Sequence, residues 1–283
     1  MDEKMGILER IHAAYYQLTA TERKVADYVI ANWHQIQFMS ITQLADECGV
    51  ADATISRFCK NLHLKGFNAI KIELARHSAA GHLMVTPNTV LEDTMESRIQ
   101  MVGKVSQDAV TQTVTLMNHT DVDRAVRILD EAKQVLCMGS GGSMILANEC
   151  AHLFGPAGGK FRAVADAHSQ MSATVTAPEG SAIILFSYSG STRSGLEILE
   201  LAQARNIPTI LVTRFHKSPA AKLATVTLLC GSNEGPFQAG SVAARVAQLV
   251  VMDVLYQEYY IRNRNRCDEN IELVASALTS QHV

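Results

Sequence analysis

No CxxC cysteine pair occurs in this chain, and none of its six cysteines, at positions 48, 59, 137, 150, 230 and 267, stands in a His/Cys cluster at zinc-ligand spacing. That argues against a zinc module or a redox dithiol. Free thiols, no metal and no cofactor are expected, in a reducing compartment. Long apolar runs are also missing. Nothing approaches the roughly 20 residues that cross a bilayer, and no apolar signal segment follows the charged start Met1-Asp-Glu-Lys. A cytoplasmic protein with no membrane partner is expected. An excess of positive charge is absent too: 25 Lys and Arg stand against 28 Asp and Glu, a net charge of −3. Any attraction to nucleic acid must therefore be local.

Two nucleotide motifs are present only in part. Gly139-x-Gly141 opens like a dinucleotide fingerprint, but Met144 occupies the third glycine position. Gly158-Gly159-Lys160 ends like a P-loop, yet Phe161 replaces the required Ser or Thr and Phe154 the first glycine.

What the chain does have is enough length and apolar content for two cores. At 283 residues with 47% hydrophobic and 19% charged residues, two domains are expected. The pattern divides into a helical domain over residues 1–78, a linker over 79–91 marked by Gly81 and Pro87, and an α/β domain over 92–283.

In the first part, the pairs Thr19/Glu22 and Ser40/Gln43 have capping-box spacing and place helix starts near residues 20 and 41. A short helix from Ile41 ends at Gly49, and a second covers about 52–62. Counting Ile41 as one, small Ala45 falls at five, Gly49 at nine and apolar Ile55 at fifteen. Two helices crossing steeply through a turn of about three or four residues need this spacing. The pattern is a helix-turn-helix, whose second helix enters the DNA major groove.

On that second helix Ile55, Phe58, Cys59 and Leu62 are expected inward and Thr54, Ser56, Arg57, Lys60 and Asn61 outward. Arg57 and Asn61 suit base edges, and Lys60 and Lys65 suit phosphates. With Ala51 before the helix, Asp52 is the expected cap. From residue 54 to 76, Arg57, Lys60, Lys65, Lys71 and Arg76 face only Glu73, a local excess of four positive charges. The same residues also fit a solvated face on a purely structural bundle.

Two helices, near 92–118 and 121–132, lead into five apolar runs at 134–138, 160–164, 181–186, 208–213 and 225–230, separated by helical segments. This is the signature of a parallel sheet flanked by helices. The first run ends in Gly139-Ser-Gly-Gly-Ser143 and the third in Ser187-Tyr-Ser-Gly-Ser-Thr192. Strand-to-helix turns of this kind offer unpaired backbone N–H groups and a favourable dipole to an anion. Glycine lets the backbone approach the ligand. In a doubly wound sheet of order 2-1-3-4-5 the two turns are neighbours at the switch point where ligands bind. The alternative for the second turn is an ordinary helix cap, with Ser194 and Glu197 in capping-box spacing. Asp166, His168 and Glu234 are the candidate acid/base groups if the domain is an enzyme.

Over nearly its whole length the chain resembles the RpiR (MurR/RpiR) family of bacterial transcriptional regulators. The resemblance rests on Ala20-Thr-Glu-Arg-Lys-Val-Ala-Asp27, Ala53-Thr-Ile-Ser-Arg-Phe58, Lys65-Gly-Phe67, the two serine-rich turns and Ala244-Arg-Val-Ala-Gln-Leu249. It implies an all-α helix-turn-helix domain followed by a SIS (sugar isomerase) domain, with a five-stranded parallel sheet in flavodoxin-like order. It also implies an oligomer, a homodimer or homotetramer, that binds a double-stranded operator and a phosphorylated sugar effector without catalysis. By position, Ser143, Ser187, Ser189 and Thr192, with Gly141 and Gly190, resemble the phosphosugar contacts. Asp166, His168 and Arg245 are candidate sugar contacts, with Gln248 beside Arg245. Thr54, Ser56 and Arg57 match the DNA-facing residues. Sugar specificity is expected in the loop at 233–240. The rival readings are a phosphosugar isomerase with an accessory helical domain, and a helical interaction module fused to a SIS fold that binds nothing.

Overall fold

The computed structural model describes residues 6–79, 94–232 and 241–279. The expected linker residues Gly81 and Pro87, Glu234 and the specificity loop lie outside them. The chain divides into two compact units at Val102/Gly103.

The first unit contains α1 (Ile7–Ala14), α2 (Ala20–Ile36), α3 (Ile41–Cys48), α4 (Asp52–Asn61) and α5 (Phe67–Ala79). Both expected capping boxes form: Thr19 accepts from Glu22 N and Ser40 from Gln43 N, with each glutamyl or glutaminyl side chain reaching back. Gly49 ends α3 at φ 63°, in the left-handed region that favours glycine. The core gathers Ile7, Ile11, Val25, Val29, Leu44, Ile55, Phe58, Leu62 and Ile70, all essentially buried.

The ends of α4 are tied to the other helices. The expectation that Asp52 caps this helix fails: Ala51 is the N-cap and makes no side-chain cap bond. The Asp52 carboxylate instead accepts from the Thr42 hydroxyl at 3.1 Å. At the other end the Asn61 amide donates to buried Glu22 at 2.9 Å, and the Arg10 guanidinium donates to the Leu62 carbonyl. Glu22 therefore serves the start of α2 and the end of α4 at once.

The second unit takes in α6 (Met95–Leu116) from Gly103 onward, then α7 (His119–Glu131), β1 (Gln134–Gly139), α8 (Gly142–Phe154), β2 (Phe161–Ala163), α9 (Ala167–Val175) and β3 (Ser181–Phe186). It continues with α10 (Arg193–Ala204), β4 (Thr209–Thr213), α11 (Pro219–Leu223), β5 (Val226–Leu229), α12 (Val242–Arg262) and α13 (Arg264–Leu278). The sheet order is β2-β1-β3-β4-β5 with every pair parallel: the spacing of apolar runs predicted the parallel sheet, and the family resemblance implied its order. All six residues of β3 are buried, which is why it reads as a continuous apolar run. One core, from α7, α8 and α12, covers one set of sheet side chains, and a second, around Leu185, Ile198 and Leu199, covers the other.

α12 is followed by a further helix, α13, which the sequence pattern does not mark. The chain breaks at Asn263 (φ −115°, ψ 23°), and α13 buries only Cys267, so it carries little apolar periodicity. Among the described residues, no helix is long and apolar enough to cross a membrane.

All six cysteines are free and buried. Burial pushes the Cys48 thiol up to about 11 and Cys59 to about 12. Iodoacetamide at pH 8 is therefore expected to spare both in the native protein and modify both after unfolding, as read by peptide mass mapping. Because the folded thiols stay protonated while unfolded ones ionise near the ordinary value of 9.0, this contribution to stability is full below that pH. It is lost as pH rises toward the folded values. Glu22→Ala, which removes the charged acceptor of both Thr19 and Asn61, should destabilise the first unit by about 1.5–3 kcal/mol in urea unfolding. The single tryptophan, Trp33 on α2, gives the fluorescence signal, and a midpoint equal to wild type would show the clamp to be immaterial.

Candidate functional site

β1 and β3 pair in full register, Gln134 with Ser181 through to Gly139 with Phe186. Their carboxyl ends are level, and the turns that follow them meet. The Ser140 and Ser194 hydroxyls lie 3.1 Å apart across 54 residues of sequence.

The first turn is built by close approach. A Cβ on Gly139 would lie 2.6 Å from the Ser143 carbonyl oxygen, so only glycine lets the chain fold from β1 directly onto α8. Gly141 caps α8 at φ 56°, ψ −124°, a conformation open to few residues other than glycine. Gln170 fixes this end from α9: its buried amide nitrogen donates to Gly139 O and Val164 O, both at 2.8 Å. Its oxygen has no partner among the described residues. The sequence reading missed Gln170, whose role depends on a contact 31 residues away.

The second turn is held by its own backbone and by β4. Ser187 N donates to Val212 O at 3.0 Å, Gly190 N to Ser187 O at 3.1 Å, and Ala220 N to Gly190 O at 3.0 Å. Gly190 has φ 58°, and a Cβ there would lie 2.1 Å from Ser218 Oγ, so glycine is required twice over. Ser187 is buried at 6% exposure, whereas Ser189, Ser191 and Thr192 are exposed. Ser189 Oγ accepts from Ser191 N at 3.3 Å. The Ser143, Ser187 and Thr192 hydroxyls make no hydrogen bond to other described residues. The Ser194/Glu197 box does not form. Thr192 is the N-cap, which moves Ser194 inside the helix, and Glu197 pairs with Arg193 at 3.0 Å.

Asp166 follows β2 and caps α9, accepting from Ser169 N at 3.1 Å and Ser169 Oγ at 2.7 Å. These hydrogen bonds, the hydroxyl first, hold its carboxyl below the ordinary carboxylate value. His168 is exposed one residue into the helix. Arg245 is half-buried on α12. Gln248, expected beside it at the sugar, is 2% exposed instead, and its amide nitrogen donates to Ala244 O at 3.1 Å within its own helix. Gly158-Gly159-Lys160 precedes β2 and so sits at the amino end of the sheet, away from both turns.

Tyr188 was also passed over by sequence reasoning. It lies between the candidate hydroxyls, and its phenol donates to Ser232 O at 2.8 Å.

On α4, Ser56 is half-buried and Arg57, Lys60, Asn61 and Lys65 are exposed. Thr54 is a correction: it is 5% exposed and accepts from Arg57 Nη2 at 3.2 Å. It stands one turn before Phe58 and so shares the buried face. Asn61 is exposed, but its amide is engaged by Glu22.

Comparison with known proteins gives two family matches, "Helix-turn-helix domain, rpiR family" over residues 5–81 and "SIS domain" over residues 128–257. The chain is 30% identical over 256 residues to the HTH-type transcriptional regulator YbbH of Bacillus subtilis, covering 89% of each. It is 30% identical over 250 residues to HexR of Pseudomonas aeruginosa, covering 88% of this chain and 87% of that one. Its fold matches the Vibrio vulnificus NanR protein complexed with ManNAc-6P at a TM-score of 0.88 and 24% identity, over 98% of this chain and 99% of NanR. The chain belongs to the RpiR family of transcriptional regulators, with a helix-turn-helix domain followed by a SIS domain.

Proposed function

We propose that this regulator senses a phosphorylated sugar at the carboxyl ends of β1 and β3 and converts its occupancy into a change in operator affinity. The observation that carries this reading is the meeting of the two serine-rich turns, bridged by Ser140 and Ser194 at 3.1 Å. The phosphate sits at the start of α10, taking the Ser187, Ser189 and Thr192 hydroxyls and the backbone freed by Gly190. Ser143 and the backbone at Gly141 face it from the first turn. Asp166, His168 and Arg245 are assigned to the sugar. That NanR, of similar fold, is complexed with ManNAc-6P supports a sugar phosphate as the ligand class.

Of the candidate acid/base groups, Asp166 is poorly suited to an isomerase. A general base works best with its pKa near the operating pH, whereas Asp166 is held the other way by Ser169. The curated relatives YbbH and HexR are named as regulators.

On the DNA side, Arg57 is assigned to a base edge, Lys60 and Lys65 to phosphates, and Ser56 to a flanking contact. A homodimer or homotetramer would present paired heads to a palindromic operator.

A ligand at about 100 times its dissociation constant adds about 2.7 kcal/mol of stability. A thermal-shift panel of sugar phosphates should therefore raise the melting temperature for at least one compound and not for its unphosphorylated parent. The shift should vanish in Ser187→Ala and Thr192→Val; a shift that persists in both would place the ligand elsewhere. For DNA, a duplex selected from a randomised pool serves as the probe. Arg57→Ala should cost about 1–3 kcal/mol and relax preference at one position, while Lys60→Ala should weaken all sequences alike and lower the salt slope by about 1.

A further inference from the structure

Ser232 occupies an unusual place between the candidate effector turn and α6. It is 4% exposed and has φ 113°, a left-handed value for a residue that is not glycine, so the surrounding contacts must hold it there. Those contacts come from three directions. Its carbonyl accepts from the Tyr188 phenol at 2.8 Å and from Arg214 Nε at 2.9 Å. Its own N–H donates to Gln112 Oε1 on α6 at 3.3 Å.

The neighbouring residue is bound still more closely to the same helix. Gly231 N donates to Thr113 Oγ1 at 2.8 Å, and the Thr113 hydroxyl donates onward to Ala109 O at 2.7 Å. A Cβ on Gly231 would lie 2.4 Å from Gln112 Cβ and 2.6 Å from Thr113 N. Gly231 therefore packs directly on α6 at Gln112 and Thr113, close enough for a displacement of one to press on the other.

The far end of the chain of contacts is the effector turn itself. Tyr188 lies between Ser187 and Ser189, and its backbone carbonyl accepts from Thr213 Oγ1 and Arg214 N, both at 3.0 Å. Arg214 thus binds both Tyr188 and Ser232. A ligand that draws in the hydroxyls on either side of Tyr188 changes the position from which the phenol holds Ser232.

We infer that Ser232, with Gly231, is the joint through which an occupied effector turn acts on α6. This rests on the reading of residues 187–192 as the phosphosugar site. The contacts span 118 and 120 residues of sequence and reach a 22-residue helix by which the chain enters this unit. A continuous helix is stiff enough to carry a shift at Gln112 and Thr113 along its length. A ligand shifts such an equilibrium only by binding the two arrangements unequally, and the Tyr188–Ser232 bond is the contact through which the turn would distinguish them.

The test is hydrogen exchange on the full chain, alone and with ManNAc-6P or inorganic phosphate, comparing wild type with a Gln112→Ala/Thr113→Val double variant. In the wild type, ligand should slow exchange both at 187–192 and along 103–116. In the double variant the first effect should remain and the second disappear, and the effector's influence on duplex affinity, typically about 5- to 150-fold, should fall toward one. If the contacts only stabilised α6, the variant would exchange faster throughout 103–116 yet keep its ligand-induced slowing, and the inference would fail. Wild-type protection at 187–192 without any change in α6 would overturn the joint and leave the effector site standing. No protection at either segment with either probe would overturn both. Tyr188→Phe is a second variant, removing the phenol that holds the Ser232 carbonyl; it should uncouple α6 as the double variant does.

Discussion

The parallel pairing of β1 with β3 sets the geometry of the whole candidate effector end. Because the two strands run in the same direction and share full register from Gln134/Ser181 to Gly139/Phe186, both end at the same level and both turns emerge side by side. An antiparallel partner would send one turn to the opposite edge of the sheet, and Ser140 could not meet Ser194. The helices that follow, α8 and α10, then begin at the same place, and their positive ends add. Gln170 secures the arrangement from outside the pair, at the cost of leaving its own oxygen buried without a partner among the described residues. Gly139 and Gly190 complete it, since a single Cβ at either would meet atoms too close to accommodate.

Local chemistry made much of this legible in the sequence. Capping boxes at Thr19 and Ser40 act over three residues, and β3 announces itself because all six of its side chains are buried. The parallel sheet followed from the alternation of apolar runs and helices, whereas its order, and with it the neighbourhood of the two turns, came from the family resemblance. Where the reading failed, a residue's local pattern was overridden by packing. Thr54 is polar and was placed outward, but it stands one turn before Phe58 and is buried with it. Ser194 and Glu197 have the right spacing for a box, yet the helix starts at Arg193 and Glu197 turns to the arginine. α13 carries almost no signal because Cys267 is its one buried residue. The contacts of Gly231 and Ser232 with α6 join residues more than 100 apart, and no periodicity encodes them.

The two candidate sites differ in what holds them. The effector turns are fixed mainly by backbone bonds and by glycines, which leaves side-chain hydroxyls at Ser143, Ser187 and Thr192 available to a ligand. On the recognition helix the side chains themselves are the fixings. Thr42 holds Asp52 at its start, Glu22 holds Asn61 and Arg10 holds the Leu62 carbonyl at its end, and Ile55 and Phe58 are buried between them.

This difference constrains how regulation can work. Changing the shape of α4 would mean unpacking Ile55 and Phe58 and breaking several part-buried hydrogen bonds together, each of which, having a charged partner, contributes about 1.5–3 kcal/mol. The coupling free energy available from an effector is typically only about 1–3 kcal/mol in total. An effector therefore cannot act by remodelling the reading surface. On the proposed reading it acts by changing where an intact head is held, because paired heads on a palindromic operator would have to match a spacing of about 34 Å per helical turn of DNA. For such a change the relevant part of the α/β unit is its first helix, and the geometry at Gly231 leaves that helix no freedom to ignore the segment beside it.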